Sequence, residues 1–191
     1  KSTSIGIIIP CYNHGKYVSK ALNSVAQQSY KNKCIYISNE KSTDNSKEVI
    51  LSNIKEIENV KENLYFGKIE DCPVVFYDNP EPKGPSAARN NLIKIGIQND
   101  AFSMLDADDY YLPKKLSKSV SILDSNPMIG LVYNDAIIHN VKLNTNIYEY
   151  REPFYAQRLH QECIVSNTPL IRKQALIDCG LYDEDMRTAE D

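Results

Sequence analysis

The stretch Ile5-Gly6-Ile7-Ile8-Ile9-Pro10-Cys11-Tyr12-Asn13 decides the fold of this 191-residue chain. Ile5 to Ile9 is a mostly β-branched run without charge, closed by Pro10, which is typical of a buried parallel strand. A turn follows, and apolar residues then recur at helical spacing at Val18, Ala21, Leu22, Val25 and Ala26. The stretch therefore predicts a strand, a turn and an amphipathic helix.

The same alternation continues toward the middle of the chain. Further strands are predicted at Cys34–Ile37, Val74–Tyr77 and Ala101–Leu105. The first of these precedes a helix that starts near Ser42–Ser46 and has a buried face of Val49, Ile50, Ile54 and Ile57. Val74–Tyr77 precedes a helix that is capped by Ser86 and has an inner face of Ala88, Leu92 and Ile95. Ala101–Leu105 precedes a helix near Pro113 that has an inner face of Leu112, Leu116, Val120 and Leu123. This order predicts an α/β protein with a mostly parallel sheet flanked by helices.

The remaining segments are less regular. We expect a helix end and a loop over Glu56–Asp71, and a fifth strand at Ile129–Tyr133 that pairs with Ala136–Val141. A short helix is predicted over Arg172–Cys179, closed by Gly180. No linker interrupts the chain, so residues 1–191 are predicted to form a single domain.

Composition narrows the classes of function. The net charge of −3 argues against a nucleic-acid binder. No apolar run reaches the ~20 residues of a membrane-spanning helix. Cys11, Cys34, Cys72, Cys163 and Cys179 form no CxxC pair and are expected to be reduced and mostly buried. A cytoplasmic protein is expected, with no transmembrane segment.

An acidic cluster of Asp106, Asp108 and Asp109 directly follows the predicted strand Ala101–Leu105. Parallel sheets bind ligands at the carboxyl ends of their strands, and carboxylates gathered there suit Mg²⁺ or Mn²⁺. The alternative is an acidic first turn for the following helix. The position at the end of a strand favours the metal site, which would also hold a diphosphate.

Polar residues at the other strand ends are further candidates. Tyr12 offers a ring to a planar base, and Glu40 offers a carboxylate that helix capping does not explain. Arg89 lies in the first turns of a helix, where a cation is unfavourable, so a nearby anion or Asp106 is the expected partner. Asp191 is a candidate general base, with a solvated acidic tail as the alternative.

Taken together, the motifs resemble the family 2 glycosyltransferases of GT-A fold. Ile7 to Asn13 resembles that family's first strand and turn, and Ser42 to Ser46 the tail of its DDGSTDNS segment. Gly84 to Asn90 resembles its GxxxARN element, and Leu105 to Asp109 its DxDD metal motif. Gly180 to Asp183, followed by Glu190-Asp191, resembles its GxFDE…ED ending. The order and spacing fit over nearly the whole chain.

The resemblance implies transfer of a sugar from a nucleotide donor, usually UDP-linked, to an acceptor hydroxyl with inversion. It implies the following roles: Asp108 as metal ligand, Asp106 in contact with the metal shell or the ribose, Pro10, Tyr12, Asn13 and Glu40 as donor-binding residues, Arg89 as a brace for the acidic site, and Asp191 as catalytic base. The expected cofactor is Mn²⁺ or Mg²⁺. The acceptor would be a saccharide, a lipid-linked molecule or a protein, which would place the enzyme in the cytoplasm or at the cytoplasmic face of a membrane.

The chain departs from the family pattern in two places. Asn39-Glu40 stands where the family has two aspartates, and Lys41 stands where it has glycine. Family members also continue beyond the position of Asp191, so the chain is expected to lack the acceptor-side region. These departures keep open a non-catalytic domain that binds sugar nucleotides. A nucleotidyltransferase is the other alternative, although no glycine-rich phosphate loop follows the first strand.

Overall fold

A computed structural model describes residues 2–161 and 163–186 of the chain. The strands in this part are β1 (Ile5–Cys11), β2 (Lys33–Asn39), β3 (Lys55–Lys61), β4 (Leu64–Ile69), β5 (Cys72–Asp78), β6 (Ala101–Met104), β7 (Leu131–Val132), β8 (Ala136–Asn140), β9 (Thr145–Glu149) and β10 (Leu170–Arg172). The α-helices are α1 (Val18–Ala26), α2 (Ser46–Asn53), α3 (Pro85–Ile95), α4 (Lys115–Ser125) and α5 (Lys173–Asp178), and a 3₁₀ helix covers Ala156–His160.

The centre of the molecule is an eight-stranded sheet in the order β3-β4-β5-β2-β1-β6-β10-β7. β1 runs parallel to β2 and β6, and β2 runs parallel to β5, while the outer strands pair antiparallel. The predicted α/β sheet with its parallel centre is confirmed. β1 continues through Pro10 to Cys11, two residues beyond the predicted end at Ile9.

Helices cover both faces of this sheet because successive side chains of a strand point to opposite faces. Ile5, Ile7 and Ile9 are fully buried in a cluster that contains residues of α1 and α4. Ile8 is equally buried on the other face, in a cluster that contains residues of α3 and α5. The result is a three-layer arrangement with β1 at its centre.

The segment from Glu56 to Asp71 differs from the prediction of a helix end and a loop. α2 ends at Asn53, and the chain then forms the antiparallel hairpin β3–β4, which extends the sheet beyond β5. Ile57, predicted as a buried helical residue, is 40% exposed on the edge strand β3. Gly67 allows the close packing of the hairpin, because a Cβ there would lie 2.3 Å from Ile54 Cγ2.

The pairing after α4 also differs from the prediction. β7 is shorter than the predicted strand Ile129–Tyr133 and pairs with β10, a strand that no periodicity indicated. β8 pairs instead with β9 to form a separate two-stranded ribbon. The prediction that Ala136–Val141 pairs with the fifth strand was therefore wrong, because β10 occupies the place between β6 and β7.

Smaller differences concern helix ends. α3 begins at Pro85 with Gly84 as N-cap, so Ser86 is the second helical residue and does not cap. α4 begins at Lys115, and Leu112 is 55% exposed and not part of its inner face. α5 is followed by Gly180 at a φ of 84°, as the predicted C-terminal glycine requires. In the described part of the chain, no helix has the length and apolar content needed to cross a bilayer.

Candidate active site at the carboxyl edge of the sheet

The four central strands end at one edge of the sheet, and their following residues lie together. The amide N–H of Glu40 donates to the carbonyl of Cys11 at 2.8 Å, and Asn79 N–H donates to Asn39 at 2.9 Å. Leu105 N–H donates to the carbonyl of Ile8 at 3.0 Å, which places the acidic cluster beside the end of β1. The structure thus brings the predicted residues of β1, β2 and β6 to a common edge.

Asn13 fastens the loops that follow β1 and β2. Its Oδ1 accepts hydrogen bonds from the N–H groups of Thr43 at 2.8 Å and Asp44 at 3.3 Å. Its own N–H donates to Ser42 Oγ at 3.0 Å, and its φ is 56°. The side-chain oxygen of Asn13 is therefore engaged in holding the loop, whereas the ring of Tyr12 next to it is 56% exposed.

Asp44, in the loop that follows β2, also links the two loops. Its carboxylate accepts hydrogen bonds from the N–H groups of Gly15 at 3.0 Å and Ser46 at 2.9 Å. The pKa of Asp44 is lowered, chiefly by the hydrogen bond from the Ser46 hydroxyl. The Ser-Thr-Asp-Asn-Ser stretch thus connects two loops in addition to starting α2.

Glu40 is buried between the ends of β2 and β5, with 7% of its surface exposed. Its Oε2 accepts a hydrogen bond from Asn79 Nδ2 at 2.7 Å. Its Oε1 is buried and makes no hydrogen bond of ordinary geometry with a described residue, although the Ser38 hydroxyl is close enough to lower the pKa of the carboxyl in part. Burial is the main reason that the pKa of Glu40 is raised. An enclosed carboxylate oxygen with no donor is costly, and a ligand N–H that reached it would remove that cost.

Lys41, which stands where the family has glycine, takes a left-handed conformation. Its φ is 57°, in the left-handed region that glycine adopts without steric penalty. This conformation costs roughly 1–2 kcal/mol for a residue with a Cβ. The turn after Glu40 therefore uses a backbone conformation that favours glycine, although the residue here is lysine.

The acidic cluster is held by an arginine and an asparagine. Arg89 is 5% exposed, and its Nη2 lies 3.2 Å from Asp106 Oδ1, so the predicted contact between these residues is present. Asn167 Nδ2 donates to Asp109 Oδ2 at 2.9 Å and lies 3.4 Å from Asp106 Oδ2. Burial is the main reason that the pKa of Asp109 is raised. Two of the three aspartates are thus oriented by neighbouring side chains.

Asp108 differs from its two neighbours. It is exposed, and its carboxylate makes no hydrogen bond or ion pair with any other described residue. Within residues 2–161 and 163–186, no three His, Cys, Asp or Glu side chains are grouped so as to hold a metal ion. A site with one or two carboxylates fits Mg²⁺ or Mn²⁺ where substrate phosphates and water supply the other ligands. The donor set therefore fits a metal that binds together with a diphosphate.

The partly buried side chain of Lys115 packs against β6, the strand that precedes the acidic cluster. Lys115 Nζ donates to Ser103 Oγ at 2.6 Å and lies 4.4 Å from the centre of the Tyr111 ring. The hydroxyls of Ser103 and Tyr111 are 2.8 Å apart. Burial lowers the pKa of Lys115 to about 7. These contacts join the start of α4 to β6 immediately before Asp106.

Two residues at this edge were not predicted. Asn79 follows β5 in the stretch Asp78 to Pro85, whose three prolines and one glycine indicated only a loop. Asn167 lies 58 residues from Asp109 in sequence, and no local pattern distinguishes it. The predicted base Asp191 lies outside the described residues.

Relatives of the chain are glycosyltransferases. The model of glycosyl transferase family 2 matches residues 6–181. An uncharacterized glycosyltransferase of Haemophilus influenzae is 33% identical over 128 residues, which are 65% of this chain and 44% of the relative. The Escherichia coli UDP-Glc:alpha-D-GlcNAc-diphosphoundecaprenol beta-1,3-glucosyltransferase WfgD is 26% identical over 136 residues, which are 71% of this chain and 47% of the relative. The chain spans about half the length of these relatives.

Solved structures show the same fold. The S. aureus TarS 1-349 complex with UDP has a TM-score of 0.70 at 18% identity, over 98% of this chain and 52% of that one. The Pyrobaculum calidifontis mannosyltransferase PcManGT, solved with GDP-Man and Mn²⁺, has a TM-score of 0.68 at 14% identity, over 97% of this chain and 49% of that one. The predicted GT-A fold is therefore confirmed. Since the family model extends from β1 to the residue after Gly180, the chain belongs to glycosyl transferase family 2.

Proposed function

We propose that the chain forms the donor-binding part of a glycosyltransferase that moves a sugar from a nucleotide donor to an acceptor hydroxyl with inversion. The observation that carries the proposal is the meeting of Tyr12, Glu40, Arg89 and Asp106 at one sheet edge, with Asp108 exposed beside them. A UDP-linked donor is favoured because WfgD is named for UDP-Glc and TarS was solved with UDP.

The nucleoside would lie between the ends of β1 and β2. The exposed ring of Tyr12 would stack on the base, and Pro10, near the end of β1, would hold that ring at the strand end. Glu40 Oε1 would accept a hydrogen bond from the base, since it is the acceptor left without a donor. Because this oxygen is enclosed, the Asn79 amide that covers the same carboxylate would have to shift on binding. The Asn13 backbone would line the pocket while its side chain holds the loop.

The diphosphate would lie over the acidic cluster. Asp108 would hold Mn²⁺ or Mg²⁺, with Asp106 in the metal shell or at the ribose, as the exposure of Asp108 and the bracing of Asp106 allow. When bound, the metal would neutralise charge that develops on the leaving diphosphate. PcManGT, which was solved with Mn²⁺, supports a divalent ion in this fold.

Asp191 is the proposed general base, which would take the proton of the acceptor hydroxyl. A lipid-linked acceptor is proposed among the possible acceptors, because WfgD is named for a diphosphoundecaprenol-linked one. Such an acceptor would bring the enzyme to the cytoplasmic face of a membrane. Asp191→Asn in the full-length enzyme should lower turnover roughly 10²–10⁴-fold with donor affinity nearly unchanged.

Calorimetric titration with UDP and with GDP, each with and without Mn²⁺, tests the proposal. We expect UDP to bind more tightly with Mn²⁺, and Asp108→Ala to remove that gain. Asp124→Ala, in an exposed helical turn, is the matched control and should bind as the wild type does. Equal binding with and without metal would contradict the metal role. Metal-independent nucleotide binding without any sugar transfer would favour the non-catalytic domain.

A further inference from the structure

The ribbon formed by β8, β9 and the turn at 141–144 exposes apolar side chains on both of its faces; we refer to it as the apolar ribbon. Ile137 lies opposite Tyr148, and Ile138 lies opposite Ile147, so these two pairs point to opposite faces. All four side chains are 42–61% exposed. A two-stranded ribbon is marginally stable in water on its own, so exposure on both faces indicates a surface that another body covers.

The turn of the apolar ribbon carries the most exposed aliphatic residues of this region. Val141 is 69% exposed and Leu143 is 70% exposed, and Lys142 lies between them. Lys142 forms no ion pair with any other described residue. An apolar tip that bears a cation is the composition of segments that lie in the headgroup region of a membrane.

The two charges of the apolar ribbon lie at opposite ends, with Lys142 at the tip and Glu149 at the base. The chain holds 25 Asp and Glu residues in all, yet none falls between Ala136 and Tyr148. Glu149, the next acid, is paired with Arg151 at 2.9 Å. The ribbon as a whole is therefore neutral, because Glu149 at the end of β9 balances Lys142. Its tip carries the cation and no acid, and this end is complementary to an anionic lipid surface.

Aromatic side chains follow directly at the end of β9. Tyr150, Phe154 and Tyr155 are 78%, 58% and 60% exposed. Tyrosine is enriched at membrane–water interfaces, because its ring enters the apolar region while its hydroxyl stays in water. Five-residue strands extend over about 17 Å, enough for the tip to reach the ~5–10 Å depth at which interfacial segments lie.

The base of the apolar ribbon adjoins the candidate active site. Arg151 Nη1 donates to the carbonyl of Cys163, and Asn134 N–H donates to Ser166 Oγ at 3.4 Å. Asn167, the next residue, contacts Asp106 and Asp109. The base of the ribbon is therefore connected through residues 163–167 to the acidic cluster.

We propose that the apolar ribbon docks the protein onto an anionic lipid bilayer. This inference rests on the proposed function, because an acceptor carried by a membrane lipid gives the docking its use. Val141, Leu143 and the aromatic residues would enter the interface, and Lys142 would bind lipid phosphate. Docking would present the acidic cluster to acceptors that are confined to the bilayer.

Vesicle flotation of the full-length protein tests the proposal, with phosphatidylglycerol and phosphatidylcholine in equal parts against phosphatidylcholine alone. We expect binding to the mixed vesicles that falls at least tenfold in the double variant Val141→Asp, Leu143→Asp. Lys142→Gln should weaken binding to the mixed vesicles severalfold and leave binding to neutral vesicles unchanged. Ile97→Asp is the matched control: Ile97 is 44% exposed in the loop before β6, at the opposite edge of the sheet, and its variant should bind as the wild type does.

Several outcomes would overturn the proposal. Absence of vesicle binding by the wild-type protein is the first, and undiminished binding by the double variant is the second. A wild-type dimer that the double variant converts to a monomer would assign the ribbon to a second copy. Circular dichroism of each variant checks its fold. The flotation assay contains no nucleotide, so failure to bind UDP would contradict the proposed function without changing the result for docking.

Discussion

The carboxyl edge of the sheet buries polar side chains, whereas the apolar ribbon exposes apolar ones. At the edge, Glu40, Asn79 and Arg89 are charged or polar and at most 7% exposed. In the ribbon, Ile138 and Ile147 are aliphatic and more than half exposed. Buried polar groups and exposed apolar patches are the informative exceptions to the burial rule. The carboxyl edge is where the proposed donor would bind, and the ribbon is where the proposed lipid surface would bind.

The largest expected difference is in stability. Ile8→Ala truncates a fully buried side chain of β1, in the apolar cluster that contains residues of α3. It should lower the free energy of unfolding by about 2–5 kcal/mol. Ile138→Ala removes the same atoms from an exposed position and should change it by about 0.5 kcal/mol or less. Urea denaturation of both variants measures the difference. Equal losses would show that the ribbon is packed in solution.

Glu40→Gln separates ligand binding from structural support at the edge. The affinity for UDP should fall roughly tenfold or more, because a hydrogen bond to a charged group contributes ~1.5–3 kcal/mol. Stability at neutral pH should be equal or higher, because burial raises the pKa of Glu40 and its charged form therefore costs folding free energy. Glu81→Gln, an exposed neighbour, is the control for calorimetry and denaturation. A loss of stability with unchanged affinity would return Glu40 to a structural role.

Substitutions of Asn13 test how much its hydrogen bonds stabilise the loops that follow β1 and β2. Asn13→Ala removes the acceptor for two loop N–H groups and keeps a Cβ at positive φ, so we expect a loss of about 1–2 kcal/mol in the free energy of unfolding. Asn13→Gly removes the same acceptor but adopts this φ freely, so its loss should be smaller than that of alanine. Chemical denaturation ranks the two variants. The reverse order would mean that backbone strain at this position is unimportant.

Protonation of Lys115 should make the stability of the fold depend on pH in a direction that can be predicted. Because burial lowers its pKa to about 7 while the unfolded side chain keeps its ordinary value near 10.5, the unfolded state binds more protons between these values. The free energy of unfolding should therefore rise with pH from about 7 toward 10.5. The destabilisation caused by burying the charged lysine should be fully present below the folded-state pKa. Lys115→Met should flatten that rise in urea titrations from pH 6 to 9. An unchanged slope would show that Lys115 is solvated in the folded state.

Much of the edge could be predicted from local sequence. Short, mostly apolar runs predicted β1, β2, β5 and β6, and parallel strands must place the residues that follow them at a common edge. A nearby anion or Asp106 was the expected partner of Arg89 because a cation early in a helix is unfavourable, and the contact with Asp106 is present. The motif order indicated the family. These predictions depend on the spacing of apolar residues and on charges near helix ends, and both can be identified from the sequence alone.

Other features were decided by contacts distant in sequence. The hairpin β3–β4 formed where polarity predicted a loop, because its edge pairs with β5. β10 displaced the predicted partner of β7, and β8 was left to pair with β9 outside the sheet. The sequence by itself determined the parallel centre of the sheet, the family and the residues at the strand ends. Only the tertiary structure decided that Glu40 is enclosed, that Asn167 orients the acidic cluster and that the ribbon is apolar on both faces, because burial and pairing depend on neighbours that local sequence does not specify.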